Sequence, residues 1–281
     1  MLKNGNQSGA LGSEVWLGRY LSKVGYQQVA ADSKLQVLTS VMEGHIRAFP
    51  FEMLDYFLGT APTVDIDSIL EKFLVRGRAG GCSQQNALLQ RMLQSLNISS
   101  QFGMAKIARE DERPSPRAHM VLFAELDGDL WLCDVGFGIG GPLGPLMIRA
   151  GVEQEQGFHK FRISEAHAGL LVLERQVHGF WTPLYYFDLR RYDLADFEPA
   201  NYFNSLSPKS LFTKNLIVSR PTSIGGVVIR NDTLTTRDCA TSVQERIFSV
   251  RHLCEILESV FSLRVSTCDF HNLPSAFGLR N

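Results

Sequence analysis

The sequence predicts an α+β protein. Apolar residues recur at helical spacing as far as about Asn97, and past it the apolar runs become short and strand-like around an Asp127-Gly128 turn. A further stretch sets the chemical question. In Arg78-Ala79-Gly80-Gly81-Cys82-Ser83-Gln84-Gln85-Asn86, a glycine-containing approach gives way to a helix, with a cysteine at the junction.

Composition narrows the classes. The chain has 281 residues, 44% hydrophobic and 20% charged, enough for one large domain or two to three small ones with sizeable cores. Its formal net charge is -1 and no basic stripe stands out, which argues against nucleic-acid binding. No apolar run reaches the length of a membrane span, and Met1 to Ser13 lacks the layout of a signal peptide, so a cytoplasmic protein with no membrane partner is expected. Cys82, Cys133, Cys239, Cys254 and Cys268 are odd in number and scattered, so neither a disulfide framework nor a zinc site is expected, and no metal.

In chain order, residues up to about Ala10 read as a disordered lead. Trp16, Tyr20, Leu21 and Val24, then Leu35, Leu38, Val41, Met42 and Ile46, fall at helical spacing with a break near Gly25, which fits two or three helices. Pro50 marks a helix end, and Asp65 and Asp67 can cap an apolar-periodic run over 66–74. The last helix of this 1–97 unit starts at Cys82, as Leu89, Met92, Leu93 and Leu96 show. Unpaired N–H groups and the positive end of the dipole collect at a helix start and favour a thiolate. Gly80 and Gly81 are expected to leave the backbone bare, so that a substrate carbonyl can approach the sulfur. A lone cysteine at such a turn is more often a small buried residue than a nucleophile, so its partners decide.

The hairpin supplies them. A two-residue Asp127-Gly128 turn puts Leu126 opposite Asp129 and, counting outward, Val121 opposite Asp134. His119 lies two residues from Val121 on the same face, which makes His119 and Asp134 diagonal neighbours roughly 7–8 Å apart at the backbone. A thiol, an imidazole and an orienting carboxylate form the toolkit of acyl transfer. The glycine-rich stretch 135–142 lacks the lysine and Ser/Thr of a phosphate loop. Strand-like runs over 158–163, 169–174 and 181–187 suggest a small barrel or sandwich. Residues 200–210 read as a polar loop, 216–218 and 226–229 as a hairpin, and 242–261 as a final helix.

Together these residues resemble the arylamine N-acetyltransferases. That family's Arg-Gly-Gly-aromatic-Cys motif, followed by three variable residues and Asn, is matched at Arg78, Gly80, Cys82 and Asn86. Its His-strand-turn-strand-Asp-Val-Gly-Phe-Gly block is matched at His119 and from Asp134 to Gly138. Pro50-Phe51-Glu52-Met53-Leu54-Asp55 resembles its Pro-Phe-Glu-Asn-Leu-Asp, and Asp196-Phe197-Glu198, Asn201 and Ser207-Pro208 resemble later blocks. The likeness runs from about Val15 to Val265. Departures are Ala79 for a glycine, Gly81 for the aromatic before the nucleophile, and Met53 for an asparagine. Loss of the aromatic should weaken stacking on an aryl ring or make room for something bulkier.

The resemblance implies an N-terminal helical bundle (1–97), a central β-barrel (98–199) and a C-terminal α/β lid (200–281), with Cys82, His119 and Asp134 as a cysteine-protease-like triad. It implies acetyl transfer from acetyl-CoA to an arylamine or arylhydrazine through a Cys82 acyl-enzyme, with no tightly bound cofactor. Arg78, Glu52 and Asn86 would structure the site, and Phe137, Gly138 and Phe51 would line the acceptor pocket. Ser207, Lys209 and Ser210 could meet a phosphate or pantetheine of CoA. An amide synthase fed by a carrier-bound acyl chain, a cysteine hydrolase and a non-enzymatic binding module are the alternatives on the same residues. Oligomeric state stays open.

Overall fold

A computed structural model describes residues 13–27, 29, 32–109 and 115–270. The expected lead up to Ala10 lies outside the described residues. Helices α1 (Ser13–Val24) and α2 (Lys34–Ala48) bury Trp16, Tyr20, Leu38, Val41 and Met42, the residues whose spacing predicts them. Ser33 starts α2 with a capping box: its hydroxyl accepts from the Gln36 amide, and the Gln36 side chain accepts from the Ser33 amide. After Pro50 come a two-residue strand, β1 (Phe51–Glu52), and a single helical turn, α3 (Leu54–Phe57). Helix α4 (Ile66–Leu70) is capped by Asp65, whose carboxylate accepts from the Ser68 amide, and runs on into a π-helical turn over Glu71–Val75. Helix α5 (Cys82–Ser95) begins at the cysteine.

Eight antiparallel strands follow: β2 (Ser99–Ile107), β3 (Arg117–Leu126), β4 (Asp129–Cys133), β5 (Leu146–Met147), β6 (Glu153–Gln156), β7 (His159–Glu165), β8 (Leu171–Val177) and β9 (Phe180–Phe187). Their order is β5-β4-β3-β2-β9-β8-β7-β6. The two edges meet through side chains. Gln154 on β6 accepts from the Met147 amide at 2.7 Å and donates to the Met147 carbonyl at 3.0 Å, and Gln156 accepts from the Leu143 amide at 2.7 Å. The result is a nearly closed barrel, which resolves the barrel-or-sandwich choice. Val121, Phe123, Leu132, Phe161, Ile163, Leu173, Tyr185 and Phe187 fill it. The opposite face of β3, with Met120, Leu122 and Ala124, joins the core that contains Leu88, Leu89, Met92 and Leu93 of α5. Burial on both faces explains why β3 reads as a continuous apolar run.

The last part of the chain differs from the sequence reading in two places. Residues 200–210, expected as a loop, lie largely within helix α6 (Glu198–Leu206). Proline near its start suits a helix N-terminus, but its buried face carries Ala200, Asn201, Asn204 and Ser205, so apolar periodicity does not reveal it. Strands β10 (Ile217–Thr222) and β11 (Gly225–Arg230) form the expected hairpin, joined by β12 (Thr233–Arg237) and β13 (Ser242–Arg246). Residues 242–246 are therefore an exposed edge strand paired to β12, not the start of the final helix. That helix, α7 (Val250–Ser259), is set by Ser249, whose hydroxyl accepts from the His252 amide.

One connection positions the site. β1 pairs antiparallel with β10, Phe51 opposite Ser219 and Glu52 opposite Val218, and Phe51 also bridges to Gly80. The turn before Cys82 is thereby stitched to the five-stranded sheet β1-β10-β11-β12-β13.

Candidate active site

The turn before α5 is held from below by Gln85. Its amide nitrogen donates to the carbonyls of Pro50 at 2.9 Å and Gly80 at 3.2 Å, while its oxygen meets His45 Nε2 at 2.7 Å. His45 in turn meets the Tyr20 hydroxyl at 2.9 Å. Burial pulls the His45 pKa down to about 4, against the pull of the Gln85 hydrogen bond, so the ring is neutral near pH 7. The glycines of this turn are not bare, contrary to the expectation of an open approach. A Cβ at Gly80 would collide with the Gln84 side chain, and a Cβ at Gly81 would lie 2.7 Å from Met53 Sδ. Both positions are glycine because neighbouring side chains already fill the space. Cys82 itself is half-buried, with Sγ 3.8 Å from the Ala118 carbonyl.

The hairpin register is the predicted one. Leu126 faces Asp129 and Leu122 faces Cys133, so the ladder stops one pair short of Val121 and Asp134. Asp127 and Gly128 both have positive φ, 52° and 87°, as a tight hairpin turn of matching twist requires. His119 Nε2 lies 2.7 Å from Asp134 Oδ2, both residues being buried. Burial alone would lower the His119 pKa, but the charge and hydrogen bond of Asp134, with the Cys82 sulfur, push it up to about 10. Burial likewise opposes ionisation of Asp134, yet His119, Asn86 and the Gly136 amide hold its carboxyl below the usual range.

Asn86 joins this pair to α5. Its Nδ2 donates to Asp134 Oδ1 at 3.1 Å and to the Met120 carbonyl at 2.8 Å, and its Oδ1 accepts from the Val135 amide at 3.1 Å. Gly136 permits the approach, since a Cβ there would sit 2.6 Å from Cys82 Cα. The Phe137 ring stands edge-on to His119, with centroids 5.7 Å apart at 85°. Phe51, Asp134, Phe137 and Gly138 help line a cavity of about 10 Å³, and a cleft of about 600 Å³ sharing Ile46 and Pro221 opens beside it.

Arg78 meets two carboxylates. It donates to Glu52 Oε1 through Nε at 3.2 Å and Nη2 at 2.9 Å, and to Asp55 Oδ1 at 3.0 Å. Two members of this cluster escape the sequence reading. Lys72 Nζ lies 2.6 Å from Asp55 Oδ2 and 3.0 Å from Gln84 Oε1. Burial raises the Asp55 pKa, but Lys72 and Arg78 carry it below the ordinary value. Asp55 stands in the quoted Pro50–Asp55 block, whereas nothing in the spacing around Lys72 signals its role. Tyr185 is a third omission. Fully buried on β9, its ring lies 5.1 Å from His119 and 5.6 Å from Phe137, and burial together with the nearby Asp134 carboxylate raises its pKa well above the ordinary value. Strand alternation around it is its sole sequence signal.

Ser207, Lys209 and Ser210 follow α6. Ser210 is buried and spends its hydroxyl on the Asn204 carbonyl, Ser207 Oγ accepts from the Lys209 amide, and Lys209 is exposed. None of them lines the cavity or the cleft beside Asp134. Among the described residues no three His, Cys, Asp or Glu gather to hold a metal, and no helix is long and apolar enough to cross a membrane.

A family model described as N-acetyltransferase matches residues 34–270, most of the chain. The chain belongs to the arylamine N-acetyltransferase family. It is accordingly an acetyl-CoA-dependent acyltransferase. The arylamine N-acetyltransferase of Escherichia coli (strain K12) is 27% identical over 253 residues, covering 89% of each chain. The Nocardia farcinica arylamine N-acetyltransferase structure superposes with a TM-score of 0.85 at 26% identity, covering 99% of this chain and 100% of that one. A Mycobacterium marinum arylamine N-acetyltransferase structure in complex with CoA gives a TM-score of 0.84 at 23% identity, covering 91% and 97%. Against the family pattern, the structure links two of the departures: Met53, in place of asparagine, occupies the room that a side chain at Gly81 would need.

Proposed function

We propose that Cys82, His119 and Asp134 are the catalytic triad of this acetyltransferase and that it acetylates an arylamine or arylhydrazine by a ping-pong route. The observation that carries the reading is the buried 2.7 Å His119–Asp134 pair beside a half-buried cysteine at the first position of a helix. Asp134 engages Nε2, which leaves Nδ1 as the ring nitrogen for proton transfer. With its pKa raised to about 10, His119 already holds the proton given up by Cys82 at neutral pH; the sulfur attacks the acetyl carbonyl of acetyl-CoA, and the carbon–sulfur bond to CoA breaks. The departing CoA thiolate recovers the proton from the imidazolium. In the second half the amine attacks acetyl-Cys82, His119 accepts the amine proton, and the Cys82 thiolate leaves.

Asp134 holds one tautomer and supports the imidazolium without itself becoming protonated. Backbone N–H groups at the start of α5 serve the developing oxyanion. Arg78, Glu52 and Asn86 hold the turn and the carboxylate in place, and Phe51, Phe137 and Gly138 line the acceptor side. The Mycobacterium marinum complex supports CoA as donor, and of the three residues after α6 we take the exposed Lys209 as the one to meet a phosphate. We assign 1–97, 98–199 and 200–281 as helical bundle, barrel and lid, and place the enzyme in the cytoplasm.

The test is intact-protein mass after mixing with acetyl-CoA, a carrier-bound acyl thioester, or either with amine withheld. Gain of one acetyl group on Cys82 from acetyl-CoA, persisting until amine is added, is expected. Acylation by the carrier-bound thioester alone would make the protein an amide synthase, and loss of the acetyl group to water would make it a hydrolase.

A further inference from the structure

Arg175 stands on the inner side of the barrel wall with no counter-charge among the described residues. On β8 it pairs with Phe161, two residues along from the Leu173–Ile163 pair and so on the same face, and these three neighbours are fully buried core residues. Its Nε is buried and bonds to nothing. Three other half-buried arginines meet carboxylates, Arg78 with Glu52, Arg117 with Asp188 at 3.0 Å and Arg162 with Glu174 at 2.7 Å, while Arg220 donates to the Val260 carbonyl and Arg91 lies over the Trp16 ring. No carboxylate among the described residues pairs with Arg175. A guanidinium taken partly out of water without an acceptor is costly, and such a group persists where something else supplies the oxygens.

Its surroundings point to the reaction. The guanidinium lies against Gly140, where a Cβ would meet Cζ at 3.0 Å, and Gly140 has φ +85°. Gly140 belongs to the turn closed by the Gly141 amide on the Gly138 carbonyl at 3.2 Å, and that turn directly follows Phe137, the ring edge-on to His119. The neighbouring His159 cannot neutralise it: burial and the Arg175 charge both lower its pKa, so it is neutral near pH 7.

We propose that Arg175 recognises an oxyanion on a substrate seated at the glycine turn, a role that rests on the acyl-transfer reading above. Arginine presents a planar fork that matches a carboxylate or phosphate with two parallel hydrogen bonds. The reaction offers two sources, a carboxylate on the acceptor amine or a phosphate of CoA. A single cation at the turn suits the monoanionic carboxylate better than a polyphosphate.

The experiment compares the parent with Arg175→Met and Arg175→Lys in the two half-reactions. The donor arm follows Cys82 acetylation by acetyl-CoA against phosphate-free S-acetylpantetheine. The acceptor arm follows deacetylation by 4-aminobenzoate against its uncharged ethyl ester. The charged-to-neutral rate ratio should fall by roughly tenfold or more in one arm for Arg175→Met, the worth of a charge-assisted hydrogen bond, with partial retention in Arg175→Lys. The arm that responds names the source. Equal losses on charged and neutral partners, or ratios unchanged in both arms, would overturn the assignment. If the parent is acetylated by neither donor, it is the acyl-transfer reading that fails.

Discussion

Replacing Gly136 with alanine should separate the two halves of the proposed triad while leaving all three of its side chains in the sequence. The added Cβ would sit 2.6 Å from Cys82 Cα, 3.0 Å from Cys82 Cβ and 2.8 Å from Asn86 Nδ2. Carbon atoms settle at about 3.5–4.0 Å, so the 134–138 loop and the start of α5 must part by about 1 Å. Neither side yields easily, because the obstruction is backbone and not the end of a flexible side chain. The displacement also pulls at Asn86, whose Nδ2 holds both Asp134 and the Met120 carbonyl. Overpacking of this kind costs about 1–3 kcal/mol, and a 1 Å misplacement of reacting groups costs on the order of 10²-fold in rate. Two measurements on the same sample decide it: single-turnover acetylation of Cys82 by mass, and the melting temperature. A variant that acetylates at the parental rate and melts at the parental temperature would show that the loop and helix do not need this contact, and the account of how Asp134 is placed would fall.

Cys82→Ser should keep the fold and lose acyl-enzyme formation, seen as the absence of any acetyl adduct; a serine variant with near-normal turnover would remove the nucleophile assignment. Asp134→Asn should permit the wrong imidazole tautomer and, by analogy with serine triads, lose on the order of 10⁴-fold in turnover with little change in circular dichroism. Gly81→Phe alone should destabilise, since its ring would meet Met53 Sδ, whereas Met53→Gly with Gly81→Phe should recover melting temperature non-additively; simple additivity in that cycle would uncouple the two sites. His119 carries a pH signature. Its pKa is about 10 in the fold against 6.5 ordinarily, so its contribution to stability is complete below about 6.5 and is lost as pH rises through about 10. The parent's melting temperature should decline across that window more steeply than that of His119→Gln, and parallel declines would refute the raised pKa.

Local order in the sequence made some of the site legible. Cys82 could be placed because the apolar period of α5 begins just after it, and His119 could be matched to Asp134 because a two-residue turn fixes register for the strands on both sides. What escaped depends on contacts between distant segments. α6 was invisible because its inward face is amide and hydroxyl: Asn201 Oδ1 accepts from Ser83 Oγ at 2.9 Å and from the Tyr56 hydroxyl at 3.1 Å, a polar contact that no apolar count detects. β13 was absorbed into a helix because only pairing with β12 distinguishes its exposed Ser242–Arg246 run from a helical lead-in. Gly81 looked like vacated space because Met53 reaches it across the β1–α3 bend, not along the chain.

The pairing of β1 with β10 also has a meaning in time. Phe51 and Glu52 find their strand partners only at Ser219 and Val218, and the Asn201 anchor on Ser83 comes from α6. During synthesis, Cys82, His119 and Asp134 have all emerged before any of these supports exist. A nascent chain paused after the barrel should therefore carry the thiol, imidazole and carboxylate together without the frame that holds the turn before Cys82. Activation would wait for the C-terminal third, so that an unfinished enzyme is spared from reacting with the thioesters around it.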